Sequence, residues 1–144
     1  MPAWVRSACD DYLRRLRPAL AVALTEIETP ARRGRDAAAA IAAEGRRLLS
    51  ALAPGDHVVA LDERGRELTT RELAAWLGKR MQQGEDLAFV VGGPDGLAAE
   101  VLARSDFTLA LSRLTLPHTL VRVLLAEQLY RAHCILTGHP YHRD

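Results

Sequence analysis

The chain has 144 residues and a formal net charge of +1, with 49% hydrophobic and 26% charged residues. This length predicts one domain over residues 1–144, and the charge excludes a general attraction to nucleic acid, so any RNA binding must come from local basic patches. No signal peptide is present and no apolar run approaches the ~18 residues of a membrane span, which predicts a soluble cytoplasmic protein.

Helices and strands are predicted to alternate along the whole chain. Pro2 suits the first turn of a helix, and Asp36 and Thr69 or Thr70 suit the caps of two more. The predicted elements are a helix from Pro2 to Leu16, a strand from Leu20 to Ile27, a helix from Ala37 to Leu52, a strand from His57 to Leu61, a loop over Glu63–Arg66, a helix from Thr69 or Thr70 to about Gln82, a strand from Leu87 to Val91, a helix from Leu97 to about Ala103, a strand from Phe107 to Leu111 and a terminal helix opened by Pro117-His118. This order is typical of an α/β fold, with a mostly parallel sheet and helices on both faces.

The cysteines and histidines give no sign of a metal site. Cys9 and Cys134 lack the spacing of metal ligands and each falls in a helical pattern, which predicts buried, reduced thiols. His133, His139 and His142 lie close together in the chain, but without a carboxylate or cysteine at ligand spacing. We therefore expect no bound metal.

A glycine-rich segment, Gly92-Gly-Pro-Asp-Gly96, follows a predicted buried strand and precedes a helix. At such a junction, backbone N–H groups can approach a ligand without interference from Cβ atoms. A plain turn between strand and helix explains the same glycines. The segment lacks the GxGxxG and GxxxxGKS spacings, which argues against dinucleotide and Walker-type sites.

The segment Leu111–His118 mixes apolar and polar residues before the terminal helix. Such a loop can wrap a flat heteroaromatic ring, with apolar walls and main-chain hydrogen bonds to ring nitrogens. It can equally be an entry loop in which Thr115 or His118 caps the helix.

The terminal helix is apolar on nearly every side, so it must be buried on several faces, and we expect a two-fold dimer. Glu127 and Arg131 lie four residues apart and can pair. A buried ion pair is costly unless it is hydrogen-bonded, which makes this pair a candidate functional site. No Ser/His/Asp or Cys/His arrangement is evident, which argues against a hydrolase.

The tail after Pro140 lies outside any apolar repeat. Tyr141, His142 and Arg143 combine a stacking ring, a titratable group and a cation, which together can hold a looped-out nucleotide. A frayed terminus is the alternative interpretation.

Three segments together resemble the ribosomal RNA large-subunit methyltransferase H family, small bacterial members of the trefoil-knotted SPOUT methyltransferases. They are Gly92–Gly96, the stretch Leu114-Thr-Leu-Pro-His118 with Leu120-Val-Arg-Val-Leu124 and Glu127, and Tyr130-Arg131 with His139-Pro-Tyr-His-Arg143. The resemblance implies a parallel sheet, a C-terminal trefoil knot, a homodimer and S-adenosylmethionine as cofactor. The implied substrate atom is the position-3 ring nitrogen of a pseudouridine in the large-subunit (23S) ribosomal RNA.

The resemblance also implies roles for individual residues. The cofactor would contact Leu61, Gly92, Leu111, Ser112, Arg113, Leu114, Thr115 and Leu116. His118, Glu127 or His142 would take the proton from the acceptor nitrogen, and Arg131, or Arg143 from a second copy, would stabilise the resulting charge. Arg32, Arg33, Arg35 and Arg143 would contact the RNA, and Tyr141 would stack on a base.

Three points remain open from sequence alone. Family members carry one more apolar strand ahead of the segment that matches Met1-Pro2. We expect the upstream coding DNA to encode it, and a truncated form is the alternative. A catalytically weak or inactive RNA- or ribosome-binding module of the same fold is the alternative function. The sequence leaves both free RNA and assembled ribosomes as substrates.

Overall fold

The computed structural model describes residues 1–28 and 36–144, which divide into two compact units. The helical unit comprises Met1–Leu24, Leu68–Glu85 and Thr119–Asp144, and the sheet unit comprises Thr25–Glu67 and Asp86–His118. The elements are α1 (Ala3–Leu16), α2 (Ala37–Ala51), β1 (His57–Glu67), α3 (Thr70–Gln82), β2 (Leu87–Val91), α4 (Ala99–Arg104), β3 (Phe107–Ala110) and α5 (His118–Thr137). The α/β alternation is confirmed, whereas the single domain and the knot stay predictions.

The sheet unit contains three parallel strands in the order β2-β1-β3. Val58 and Ala60 of β1 pack in one cluster with Leu48 of α2 and Val101 of α4. Side chains alternate across a strand, so Val59 points to the other face of β1, and it is fully buried as well. The central strand is therefore covered on both faces, as its continuous apolar sequence predicts.

The helical unit has its own apolar cluster, which joins α1 to α5. Val5, Cys9, Leu13 and Leu16 of α1 pack with Ala126 of α5. Both cysteines are free and buried, as predicted, and burial raises the pKa of the Cys9 thiol. No helix in the described ranges is long and apolar enough to cross a bilayer.

The helix caps follow the sequence prediction closely. The Asp36 side chain accepts a hydrogen bond from the Ala39 amide at 2.8 Å. Thr69 and Glu72 form a capping box at the start of α3, in which each side chain accepts from the other residue's backbone N–H. Two helices start later than predicted: α1 begins at Ala3, with Pro2 as its N-cap, and α4 begins at Ala99 and not at Leu97.

The predicted strand from Leu20 to Ile27 is wrong. Residues 21–28 form no strand with any part of the chain that the structure describes. The loose apolar alternation has another cause: Leu20 and Val22 pack on the cluster of the helical unit, while Ile27 packs on that of the sheet unit. The segment carries the chain from one unit into the other and pairs with no described strand.

The predicted loop over Glu63–Arg66 lies inside the long strand β1. Leu61 and Arg66 both pair with Leu109 of β3, so the four residues between them bulge out of the ladder. Gly65 makes this bulge feasible, because a Cβ there would lie 2.7 Å from the carbonyl carbon and oxygen of Thr108. The loop prediction missed that the strand resumes after the bulge.

Candidate functional site

The glycine loop after β2 is a tight turn. The Gly96 amide donates to the Gly93 carbonyl at 3.1 Å, and the two residues form an antiparallel bridge. Gly96 has φ +85°, a conformation that L side chains rarely adopt, and a Cβ there would point into open space. The loop therefore turns the chain sharply and leaves room beside Gly96.

Gly92 is needed by the turn itself. It is buried, and a Cβ at this position would lie 2.8 Å from the backbone carbon and oxygen of Gly96 and 3.1 Å from a methyl group of Leu97. The two interpretations of these glycines are thus not exclusive: Gly92 serves the turn, and the space beside Gly96 is open to a ligand.

A carboxylate from α2 holds this loop. Glu44 Oε1 accepts a hydrogen bond from the Gly93 amide at 3.1 Å, and Glu44 is only 7% exposed. Sequence analysis missed this residue, since it is one acidic residue in an alanine-rich helix. The next residue, Gly45, was the available signal, because a glycine in the middle of a helix often marks a close packing contact.

The segment 111–116 after β3 is an irregular loop with an exposed apolar side chain. Leu114 is 73% exposed, and its amide donates to the Ser112 hydroxyl at 2.9 Å. The main-chain groups of Arg113, Thr115 and Leu116 make no backbone hydrogen bond to other described residues. The loop thus offers the features that a heteroaromatic ring requires, namely an apolar surface and main-chain donors and acceptors.

The polar side chains of this loop turn back to β1. The Thr115 hydroxyl donates to Glu63 Oε2 at 2.8 Å, and Arg113 Nε lies 3.9 Å from Glu67 Oε1. Leu61, the remaining predicted cofactor contact, is a buried residue of the same strand and pairs with Leu109 of β3. The sheet unit therefore contains the whole predicted cofactor set.

The helical unit contains a polar cluster on α5 and the tail, centred on Arg131. Its Nε and Nη2 donate to Glu127 Oε1 at 2.8 and 2.7 Å, and the Tyr141 hydroxyl donates to the same oxygen at 3.0 Å. Gln128 Nε2 donates to Glu127 Oε2 at 2.8 Å. The predicted ion pair is present, and it is hydrogen-bonded on both carboxylate oxygens.

His142 lies between a cation and an anion. Its Nδ1 is 3.2 Å from Arg131 Nη1 and its Nε2 is 2.8 Å from Asp144 Oδ1. A guanidinium can only donate and a carboxylate can only accept, so this geometry assigns the ring proton to Nε2. Both ring nitrogens are then engaged.

The tail is tied to α3 and packs against tyrosines. Arg71 pairs with the Asp144 carboxylate, with Nε 3.0 Å from Oδ1. This arginine, aided by His142, lowers the pKa of Asp144 to about 2. The Tyr141 ring lies 4.7 Å from the Tyr130 ring, edge-on, and 4.7 Å from the Arg131 guanidinium.

The Tyr141 phenol is shielded in this packing. Burial, and then its hydrogen bond to Glu127, raise the pKa of Tyr141 to about 12. The same Glu127 contact raises the pKa of Arg131. The interpretation of the tail as a frayed terminus is therefore not supported, because its aromatic ring and carboxylate are both held.

Of the other predicted site residues in the helix and the arginine-bearing segments, two lie in the described ranges. His118 is the first residue of α5 and belongs to the sheet unit, and Arg143 is exposed. Arg32, Arg33 and Arg35 lie outside the described residues. Within the described ranges, no group of three or more His, Cys, Asp or Glu residues is arranged to hold a metal ion.

The class of protein follows from a comparison with protein families. A family model described as "Predicted SPOUT methyltransferase" matches residues 1–142. The chain therefore belongs to the SPOUT methyltransferases, whose reaction requires a methyl donor.

Curated relatives define the particular family and match the chain almost from end to end. The chain is 54% identical over 146 residues to the ribosomal RNA large subunit methyltransferase H of Thiobacillus denitrificans, which covers 100% of this chain and 93% of that protein. It is 55% identical to the protein of the same name from Bordetella pertussis and 51% identical to that of Burkholderia vietnamiensis, each over 99% of this chain and 92% of the relative. The resemblance identified from the sequence is confirmed.

Proposed function

We propose that this protein transfers a methyl group from S-adenosylmethionine to the position-3 nitrogen of a pseudouridine in large-subunit ribosomal RNA. The observation that carries the proposal is the 54–55% identity, over nearly the whole chain, to proteins named ribosomal RNA large subunit methyltransferase H. A ribosomal substrate implies a cytoplasmic enzyme, and we include that location in the proposal.

The sheet unit is the proposed cofactor site. S-adenosylmethionine supplies a methyl group on a sulfonium, already a strong electrophile. The exposed Leu114 and the unused main-chain groups around it fit an adenine ring, and the open side of Gly96 fits a ligand close to the backbone. We propose that Leu61, Gly92 and residues 111–116 bind it. The protein's part is to hold the donor and exclude water.

Arg131 is the proposed group that stabilises charge on the acceptor. When the imide nitrogen loses its proton, negative charge spreads onto two carbonyl oxygens. A guanidinium has five N–H groups, and the contacts to Glu127 and His142 use three of them. One N–H on each terminal nitrogen therefore remains for an anionic oxygen, and the guanidinium is already oriented.

The proton acceptor is proposed to be Glu127, with His118 and His142 as the other candidates. His142 can take a proton only after its contact with Arg131 breaks. Glu127 Oε2 accepts a hydrogen bond from Gln128 and, as a carboxylate oxygen, has a second lone pair.

The RNA contacts and the dimer belong to the same proposal. Tyr141 and Arg143 are proposed to contact the RNA near the acceptor, and Arg32, Arg33 and Arg35 to bind its phosphates.

Leu120 and Leu124 lie four residues apart on α5 and are each 40% exposed, an apolar surface that suits a two-fold interface. Light scattering that gives the monomer mass of 15.8 kDa at micromolar concentration would refute the dimer.

The deciding experiment measures transfer of a labelled methyl group to ribosomes whose target pseudouridine is unmethylated. Arg131→Lys keeps the charge but loses the planar fork, so we expect kcat to fall by about 100-fold, the usual effect of losing one positioned donor. Exposed Arg14→Lys is the matched control and should leave the rate unchanged. Free RNA is tested in parallel to identify the substrate form.

A non-catalytic binding module gives a different result. It would bind ribosomes, and no methyl group would appear on the RNA at any enzyme concentration. Transfer to RNA that carries uridine at the target position, at the same rate as to pseudouridine, would refute the proposed acceptor.

A further inference from the structure

Glu44 is a buried carboxylate outside every segment that the proposed function uses. Among the described residues it is the one charged side chain that is buried. Burying a carboxylate is costly unless hydrogen bonds compensate for lost hydration. Its bond from the Gly93 amide, at 3.1 Å, is such compensation, and it crosses from α2 to the glycine loop.

The sequence on both sides of this contact is shaped to allow it. A Cβ at Gly93 would lie 2.8 Å from Glu44 Oε2, so a larger residue there would displace the carboxylate. A Cβ at Gly45 would lie 2.7 Å from the Cβ of Ala98. Glycine inside a helix is less favourable than alanine, and here it lets α2 approach the residue that precedes α4.

Two hydrogen bonds hold Gly93 in place, one to the α2 carboxylate and one within the turn. The Gly93 carbonyl accepts from Gly96, and the Gly93 amide donates to Glu44. Both main-chain hydrogen-bonding groups of Gly93 are therefore occupied. Without Glu44, a segment with three glycines would lose the bond that ties it to α2 and would sample more conformations.

We infer that Glu44 is a positioning residue that holds the Gly92–Gly96 loop in the conformation that binds the methyl donor. The inference rests on the proposed function. Since Glu44 acts through the loop and not on the reacting atoms, its loss should weaken cofactor binding and leave the rate at saturating cofactor nearly unchanged.

Two substitutions in the full chain test this. Glu44→Gln keeps an acceptor oxygen of the same reach, so its Kd for S-adenosylmethionine, measured by calorimetry, should stay within about 3-fold of the parent. Glu44→Ala removes a hydrogen bond to a charged acceptor, so its Kd and KM should rise by at least about 10-fold, with kcat within about 3-fold. Glu100→Ala removes an exposed carboxylate from α4 and should change neither constant.

Hydrogen exchange of the Gly93 amide gives a readout that needs no cofactor. We expect the Gly93 amide to be protected in the parent and in Glu44→Gln. It should exchange rapidly in Glu44→Ala, while the amides of β2 stay protected. Parental affinity in Glu44→Ala, or an equal loss of affinity in Glu44→Gln, would overturn the inference. If the parent protein binds no S-adenosylmethionine, the proposed function fails. If Glu44→Ala leaves the exchange of the Gly93 amide unchanged, the inference that Glu44 holds the loop is refuted.

Discussion

Replacing Gly92 with alanine should destabilise the protein whether or not a cofactor is bound. The added Cβ would lie 2.8 Å from the carbonyl carbon and oxygen of Gly96, which real Cβ atoms essentially never approach so closely. These are backbone atoms in a turn closed by the Gly96–Gly93 hydrogen bond, so no side-chain rotation relieves the contact. Overpacking usually costs 1–3 kcal/mol, and we expect a loss near the upper end, about 2–3 kcal/mol.

Gly55→Ala is the matched control. It lies in a turn of the same unit, a Cβ there would have no atom within 4 Å, and its φ is not positive. Because alanine reduces the freedom of the unfolded chain, this variant should be neutral or up to about 1 kcal/mol more stable.

Urea denaturation followed by far-ultraviolet circular dichroism measures both free energies of unfolding without cofactor. A Gly92→Ala variant as stable as the parent would refute the steric argument. If that stable variant also lost S-adenosylmethionine binding, Gly92 would be required by the ligand and not by the turn.

Three further predictions concern the tail. The Tyr141 phenol should ionise at a pKa of about 12 in a phenolate absorbance titration, so its stabilising contact is complete below pH ~10 and is lost as the pH rises through 12. Glu127→Gln should lower that pKa, and an unchanged value would contradict the assigned contact. The Asp144 carboxyl should titrate with a pKa of about 2 by NMR. Its contribution to stability is therefore present above pH ~4 and is lost as the pH falls to 2. Arg71→Ala should raise this pKa, and a parental value in that variant would disprove the pairing. Deleting residues 141–144 should leave cofactor affinity within a few-fold and slow methyl transfer at least ~100-fold, about 2.7 kcal/mol of transition-state stabilisation, whereas a parental rate would make the tail dispensable.

Local signals in the sequence predicted the elements that are stabilised locally. Thr69 and Glu72 have the spacing of a capping box, and Asp36 precedes an alanine-rich run, so both helix starts were predicted correctly. The bulge in β1 was not predictable in this way. It depends on Gly65 passing close to Thr108, a contact between residues more than forty positions apart in the chain.

Apolar alternation misled the prediction where two cores share one segment. Between Leu20 and Ile27 the pattern fits a strand, since strand prediction uses only the period. Period does not reveal whether the apolar residues face one core or two. Here Val22 packs in one unit and Ile27 in the other, and neither packing requires a ladder partner.

The residues of the polar cluster centred on Arg131 were predictable, but their arrangement was not. Spacing on a helix pairs Glu127 with Arg131, because residues four apart share a face. Nothing in the spacing brings His142 onto Arg131, since that contact requires the chain to turn back after α5. The turn engages both nitrogens of the His142 ring, so this candidate base is already in contact with Arg131 and Asp144 in the folded chain. A side chain's chemistry therefore depends on which of its atoms remain unused after folding, and residue type alone does not determine this.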